Sequence, residues 1–137
     1  MKNIVKNHYK VTGDYLFLLY MEYKPGKHLI ASLRSHQDRT LDNYNGFNDL
    51  VDKMVAAYKL VKLGEVYHNF TPGGFTAVIC LSESHISVHT WPEHGLVNLD
   101  VYLSNFQQNN DHTVQAIFDS ITAYFEASVL SVQTLTR

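Results

Sequence analysis

The chain has 137 residues, 45% of them apolar, and a formal charge of −2 from 11 basic and 13 acidic side chains. That suffices for one globular domain, or one subunit of an oligomer, with an ordinary core. The lack of a basic excess or a Lys/Arg stripe argues against nucleic acid as a partner. No apolar run reaches the ~18–20 residues of a membrane span, and the single cysteine, Cys80, excludes an internal disulfide, which suits a reducing cytosol.

In chain order, Lys2, Lys6 and Lys10 precede YLFLLYM, a superficial likeness to a signal peptide. The apolar run is short, Glu22 follows it, and there is no small-residue cleavage site. Residues 15–23, YLFLLYMEY, predict a strand, Lys24-Pro25-Gly26 a turn, and HLIASL (28–33) a second strand. Residues 34–46 are polar and turn-rich and predict a loop. Phe47, Leu50, Val51, Met54, Val55, Tyr58 and Val61 then recur at three- and four-residue steps, one face of an amphipathic helix. Asn45 or Asp42 is placed to cap it and Gly64 to stop it.

Residues 65–70 predict a strand ended by Thr71-Pro72-Gly73-Gly74. FTAVICL begins a long strand, Trp91-Pro92-Glu93-His94-Gly95 reverses the chain, and LVNLDVYLS returns. In that return Val97, Leu99, Val101 and Leu103 alternate with Asn98, Asp100, Tyr102 and Ser104, the pattern of a sheet with one polar face. A second helix follows, capped by Asn110 or Asp111, with Val114, Ile117, Phe118, Ile121, Tyr124 and Phe125 inward. Residues 129–136 close the chain as a strand. Short links favour antiparallel pairing. The expected fold is α+β, a two-layer sandwich of a mainly antiparallel sheet with two helices on one face. The other face is left to meet a subunit or a ligand.

Residues 81–95, LSESHISVHTWPEHG, carry the chemistry. In a strand His85, Ser87, His89 and Trp91 share one face, opposite Ile86, Val88 and Thr90. Ser84 has the wrong parity to join His89, so a joint role requires a bend near Glu83-Ser84. A hydrolytic triad needs an orienting carboxylate, for which Asp100 is available, but there is no strand–elbow–helix setting for the serine. His85 and His89 lie ~13 Å apart on a strand at ~3.3 Å per residue, and no third ligand is evident for zinc. The plainer alternative is that these polar groups satisfy one another on a half-exposed sheet. Cys80, in an apolar strand, reads as a buried core residue.

SESHISVHTWPEHG closely resembles the processing-site motif of the small prokaryotic S-adenosylmethionine decarboxylases. The resemblance extends through residues 26–136 by way of GKHLIASL, HNFTPGG and LDVYLS, and a match this long is improbable by chance. It implies a pyruvoyl-dependent proenzyme that cleaves itself between Glu83 and Ser84, with Ser84 becoming the pyruvoyl group that forms a Schiff base with the substrate. His89 resembles the family's processing base, and Thr76 stands where the family has a serine that supports processing. Phe70 matches an aromatic that stacks on adenine, and Glu93 a carboxylate that holds the ribose hydroxyls. Core packing and a solvated turn are the plainer roles for these two residues.

The resemblance further implies decarboxylation of S-adenosylmethionine for polyamine synthesis, no metal, a cytoplasmic location, and a homodimer whose active sites draw on both subunits. Residues 26–137 would form this domain and residues 1–25 an extension, either an added strand or a dimer arm. One departure stands out. The family's proton-donating cysteine, twenty residues after the pyruvoyl serine, is here Ser104, and Asn105 replaces a glycine. A thiol gives and regains a proton far more easily than an aliphatic hydroxyl. His85, His94, Tyr102 or a water held by Ser104 are the available substitutes. Two alternatives follow from Ser104: a related decarboxylase of another amine, such as arginine or ornithine, or an inactive homologue that does not process.

Overall fold

The computed structural model describes residues 22–137. Among these, β1 (Lys27–Arg34) is followed by α1 (Asp38–Asp42), α2 (Asn45–Ala57), β2 (Lys62–Asn69), β3 (Phe75–Leu81) and β4 (Ser84–Trp91). A 3₁₀ turn (Pro92–His94) leads to β5 (Leu96–Leu103), α3 (Asp111–Tyr124) and β6 (Ser128–Thr136). The strand predicted over 15–23 lies largely outside the described residues, and residues 22–26 take no regular structure.

The strands form one antiparallel sheet in the order β2-β3-β4-β5-β1-β6. Hairpins join β2 to β5 in sequence, whereas β1 inserts beside β5 and receives β6 on its other edge. The helices cover one face, which confirms the α+β sandwich. α3 packs against β1 and β5.

The alternation read from the sequence sets the core. Leu29, Ala31 and Leu33 of β1, Ile86 and Val88 of β4, and Val97, Leu99, Val101 and Leu103 of β5 are buried against the helices. From the helices, Phe47, Val51 and Met54 of α2 and Val114, Ile117, Phe118 and Ile121 of α3 close that layer. Each of these side chains larger than Ala31 contributes on the order of 1.5–3 kcal/mol by leaving water.

Three boundaries differ from expectation. The polar stretch 34–46 contains α1, whose Leu41 is fully buried. One apolar side chain at the right place suffices to dock a single turn that periodicity cannot reveal. The next helix stops at Ala57, well before Gly64: Lys59 takes φ +55° and Leu60 N–H reaches back to Val55 O, a left-handed closure of the helix end. Gly64 and Val61 therefore leave the helix, and Gly64 pairs with Cys80 in the sheet. Asn110 is the N-cap of α3, but its side chain bonds Ser104 O instead of the helix. The reversal after β4 is as expected. Gly95 sits at φ +56°, and a Cβ there would lie 2.6 Å from Ser35 O, so only glycine fits.

Candidate active site

The outer face of β4 carries His85, Ser87, His89 and Trp91, with Ile86, Val88 and Thr90 turned into the core, as the period of two requires. Ser84 and His89 are five residues apart on this strand, about 16 Å at ~3.3 Å per residue. The site residues fall into two groups, one at each end.

At the first end, β3 and β4 are joined by the two-residue turn Ser82-Glu83. Ser84 has φ +143°. Among the described residues the other non-glycine positions with positive φ, Lys59 and Glu126, follow helix ends, where the left-handed state is usual. Ser84 has no such excuse, and this backbone costs about 1–3 kcal/mol. The expected bend at Glu83-Ser84 is therefore present, and it lets the serine side chain join the outer face. Ser84 Oγ lies 3.1 Å from His85 Nδ1. His85 Nε2 lies 2.9 Å from Asp100 Oδ1, and His28 Nε2 lies 2.7 Å from the same oxygen. A carboxylate only accepts, so both Nε2 atoms carry hydrogens, which leaves His85 Nδ1 as an acceptor for the Ser84 hydroxyl.

The backbone of the same turn is held as well. Ser104 N–H donates to Glu83 O at 2.7 Å. Ser104 and Glu83 also border a cavity of about 340 Å³ together with Lys59, Ser82 and Asn110. Asn105 is buried. Its Nδ2 donates to Pro25 O and Asp111, and its Oδ1 accepts from Asn110 N–H at 2.7 Å. The Asn105 side chain thus braces the loop behind Ser104.

At the other end, Thr76 on β3 faces His89 in the register, and Thr76 Oγ1 and His89 Nδ1 share a short hydrogen bond of 2.5 Å. Both line a cavity of about 750 Å³ with Phe70, Trp91, Pro92 and Glu93. Phe70 is 51% exposed, so core packing is not its role. His68 stands edge-on to its ring at a centroid distance of 4.8 Å. Glu93 sits in the 3₁₀ turn at the cavity wall.

Cys80 corrects the sequence reading. It is exposed on the outer face, opposite His85 in the register. FTAVICL is apolar on both faces, so its composition hides that Thr76, Val78 and Cys80 all point away from the helices. His28 was missed altogether. It reaches Asp100 because β1 inserts beside β5, with Tyr102 opposite both His28 and His85. The histidine in GKHLIASL was the available signal, but the strand order that gives it meaning is not local. His85 and His89 do not converge. The donor atoms of His28, His85 and Asp100 lie within 4.8 Å of one another and already satisfy each other as a hydrogen-bonded set. His94 belongs to neither group. It lies beside a shallow surface depression with Arg34, Ser35 and Asp38.

Comparison with known proteins places the chain in a family. The family model for S-adenosylmethionine decarboxylase matches residues 27–137. A proenzyme of that name from Archaeoglobus fulgidus is 40% identical over 77 residues, 56% of this chain and 69% of its own length. One from Sulfurihydrogenibium is 36% identical over 101 residues, 74% of this chain and 76% of its own. The crystal structure of the adenosylmethionine decarboxylase from Aquifex aeolicus superposes with a TM-score of 0.69 at 28% identity, covering 85% of this chain and 91% of that one. The chain belongs to the S-adenosylmethionine decarboxylase family, a family of carboxy-lyases made as proenzymes.

Proposed function

We propose that the protein cuts itself between Glu83 and Ser84, converts Ser84 to a pyruvoyl group, and then decarboxylates S-adenosylmethionine in the cytoplasm as a step in polyamine synthesis. The arrangement around one peptide bond carries this reading: positive φ at Ser84, an imidazole at its Oγ, and the Ser104 N–H on the carbonyl of Glu83. A serine held this way fits a precursor of the prosthetic group. The ketone made from it supplies an electron sink for the pair released as carbon dioxide leaves. Phe70 offers an exposed ring to adenine and Glu93 a carboxylate to the ribose hydroxyls. The Thr76 hydroxyl fixes His89 through Nδ1, which leaves Nε2 to take the Ser84 α-proton. Ser104 stands where the proton donor would be.

The ~16 Å between Ser84 and His89 argues for a homodimer. Two copies packed outer face to outer face about a two-fold axis bring the Ser84 end of one chain to the His89 end of the other. Ile30, Val66, Val78, Trp91 and Leu135 are exposed on that face and supply apolar surface for such contact. Residues 1–25 are read as an extension that adds a strand or an arm to this assembly.

Intact mass tests the reading. Processed protein gives two fragments, 1–83 and 84–137, the second starting with pyruvoyl in place of serine. Ser84→Ala remains one 15.7 kDa chain. Purified wild type that stays whole and releases no carbon dioxide from carboxyl-labelled S-adenosylmethionine rejects the proposal in favour of the non-processing homologue that Ser104 suggests. Activity on arginine or ornithine instead would assign the other alternative. The cavity beside Phe70, walled by Trp91 and Pro92, fits a nucleoside better than those polar amino acids.

A further inference from the structure

We propose that His85, oriented by Asp100, is the catalytic base of the first step of self-cleavage, the acyl shift that precedes any action of His89. This rests on the reading of Glu83–Ser84 as the scissile bond. Self-cleavage has two proton-abstraction steps with different needs. The first removes the hydroxyl proton of Ser84 so that Oγ can attack the carbonyl carbon of Glu83. The second removes the α-proton of Ser84 from the resulting ester. The base for the second is His89, about 16 Å along β4 in the same chain and tied to Thr76. The group in contact with the hydroxyl is His85, with Nδ1 3.1 Å from Oγ.

Asp100 makes that nitrogen a base. It accepts from His85 Nε2 at 2.9 Å and so holds the tautomer with a bare Nδ1, and it stabilises the imidazolium that forms on proton transfer. His28 bonds the same oxygen at 2.7 Å and is itself buried, which fixes the carboxylate from β1 while His85 approaches from β4. Asp100 and His28 are positioning residues. The acceptor end of the reaction is prepared by Ser104 N–H, which donates to Glu83 O and stabilises the negative charge that develops there.

The step balances. The Oγ–C bond forms through a five-membered ring, the Glu83 C–N bond breaks, and the proton passes from Oγ to His85 Nδ1 and on to the departing Ser84 nitrogen. An ester and a free amine result, and no other reactant is consumed.

The acyl shift can be measured alone. Hydroxylamine cuts an ester under conditions that leave amides intact, so in the His89→Ala protein it reports formation of the ester without the later elimination. Cleavage of that protein at 83/84 should slow about 100-fold when His85→Gln is added, since a positioned base contributes on the order of 10²–10⁴. Gln keeps a donor for Asp100 but has no basic nitrogen. His85→Ala should be equally slow and should regain rate when free imidazole is supplied, which a structural role would not allow. Asp100→Asn should slow the cut less, and Asp100→Glu should recover part of it. An undiminished hydroxylamine cut in His85→Gln, or no response of His85→Ala to imidazole, overturns the base while leaving the self-cleavage reading intact. If the His89→Ala parent gives no hydroxylamine cut and the wild type stays whole, the self-cleavage reading falls, and the base with it.

Discussion

The two ends of β4 share a strand, a face and a register, yet they are built differently. Around Ser84 the polar groups close on one another: hydroxyl, imidazole, carboxylate and a second, buried imidazole, with a backbone N–H on the neighbouring carbonyl. The adjoining cavity is small, about 340 Å³. Around His89 there is, among the described residues, a single side-chain hydrogen bond, to Thr76, and a larger cavity of about 750 Å³ with an exposed ring and an exposed indole on its walls. In the proposed self-cleavage, the groups of the acyl shift are thus preorganised inside one chain, where a misplacement of an ångström would be costly. The other end is left open for a ligand and, in the proposed dimer, for the partner's serine.

The largest effect expected from this division is complementation between two dead proteins. Ser84→Ala lacks the nucleophile and His89→Ala lacks the base for elimination, so neither alone should yield the pyruvoyl fragment. Folded together at equal amounts, they should regain roughly a quarter of wild-type sites. Random pairing makes about half the dimers mixed, and each mixed dimer has one whole site and one site with both lesions. Gel analysis of the 84–137 fragment reads this directly. Zero recovery, with mixed dimers present by mass, would place both ends of a site in one chain and break the comparison.

A smaller change is expected at the cleavage end alone. Ser104→Cys places a thiol beside Glu83 in the smaller cavity. Turnover should rise about ten- to one-hundred-fold, because a thiol gives and regains a proton where an aliphatic hydroxyl does not. KM should stay unchanged, since Phe70 and Glu93, the residues proposed to hold the nucleoside, are untouched. A raised rate with a changed KM would mean that the two ends are not separable in this way.

The sequence reveals each element far better than the contacts between them. In β5 the alternation of Val97, Leu99, Val101 and Leu103 with Asn98, Asp100 and Tyr102 is the structure's own division of faces. The bend at Ser84 was legible as a conflict of parity, because a period of two allows only one side for each residue. Cys80 was not legible, since a strand apolar on both faces gives no sign of which side is buried. Nor was His28, whose partner lies 72 residues away and depends on β1 entering between β5 and β6. Asp100 was recognised as an available carboxylate but rejected with the hydrolase setting. Its contact with His85 joins serine, imidazole and carboxylate without a strand–elbow–helix, the arrangement on which the proposed acyl shift rests.

The smallest expected effect sharpens the comparison from the open end. Phe70 is half-exposed and makes its ring contact with His68, so Phe70→Ala removes little buried surface and should change stability by no more than about 0.5 kcal/mol. Stacking of a base on an aromatic ring is worth ~1–3 kcal/mol, which corresponds to a KM for S-adenosylmethionine raised about 5- to 150-fold. Self-cleavage needs no ligand, and its groups are held without the Phe70 ring, Ser84 by His85 at one end of β4 and His89 by Thr76 at the other, so fragments 1–83 and 84–137 should appear at the wild-type rate. Steady-state kinetics beside a processing time course separates the two quantities. A slowed cut with unchanged KM would assign Phe70 to the assembly of the two chains instead of to the ligand. The open end would then be an interface first and a binding site second.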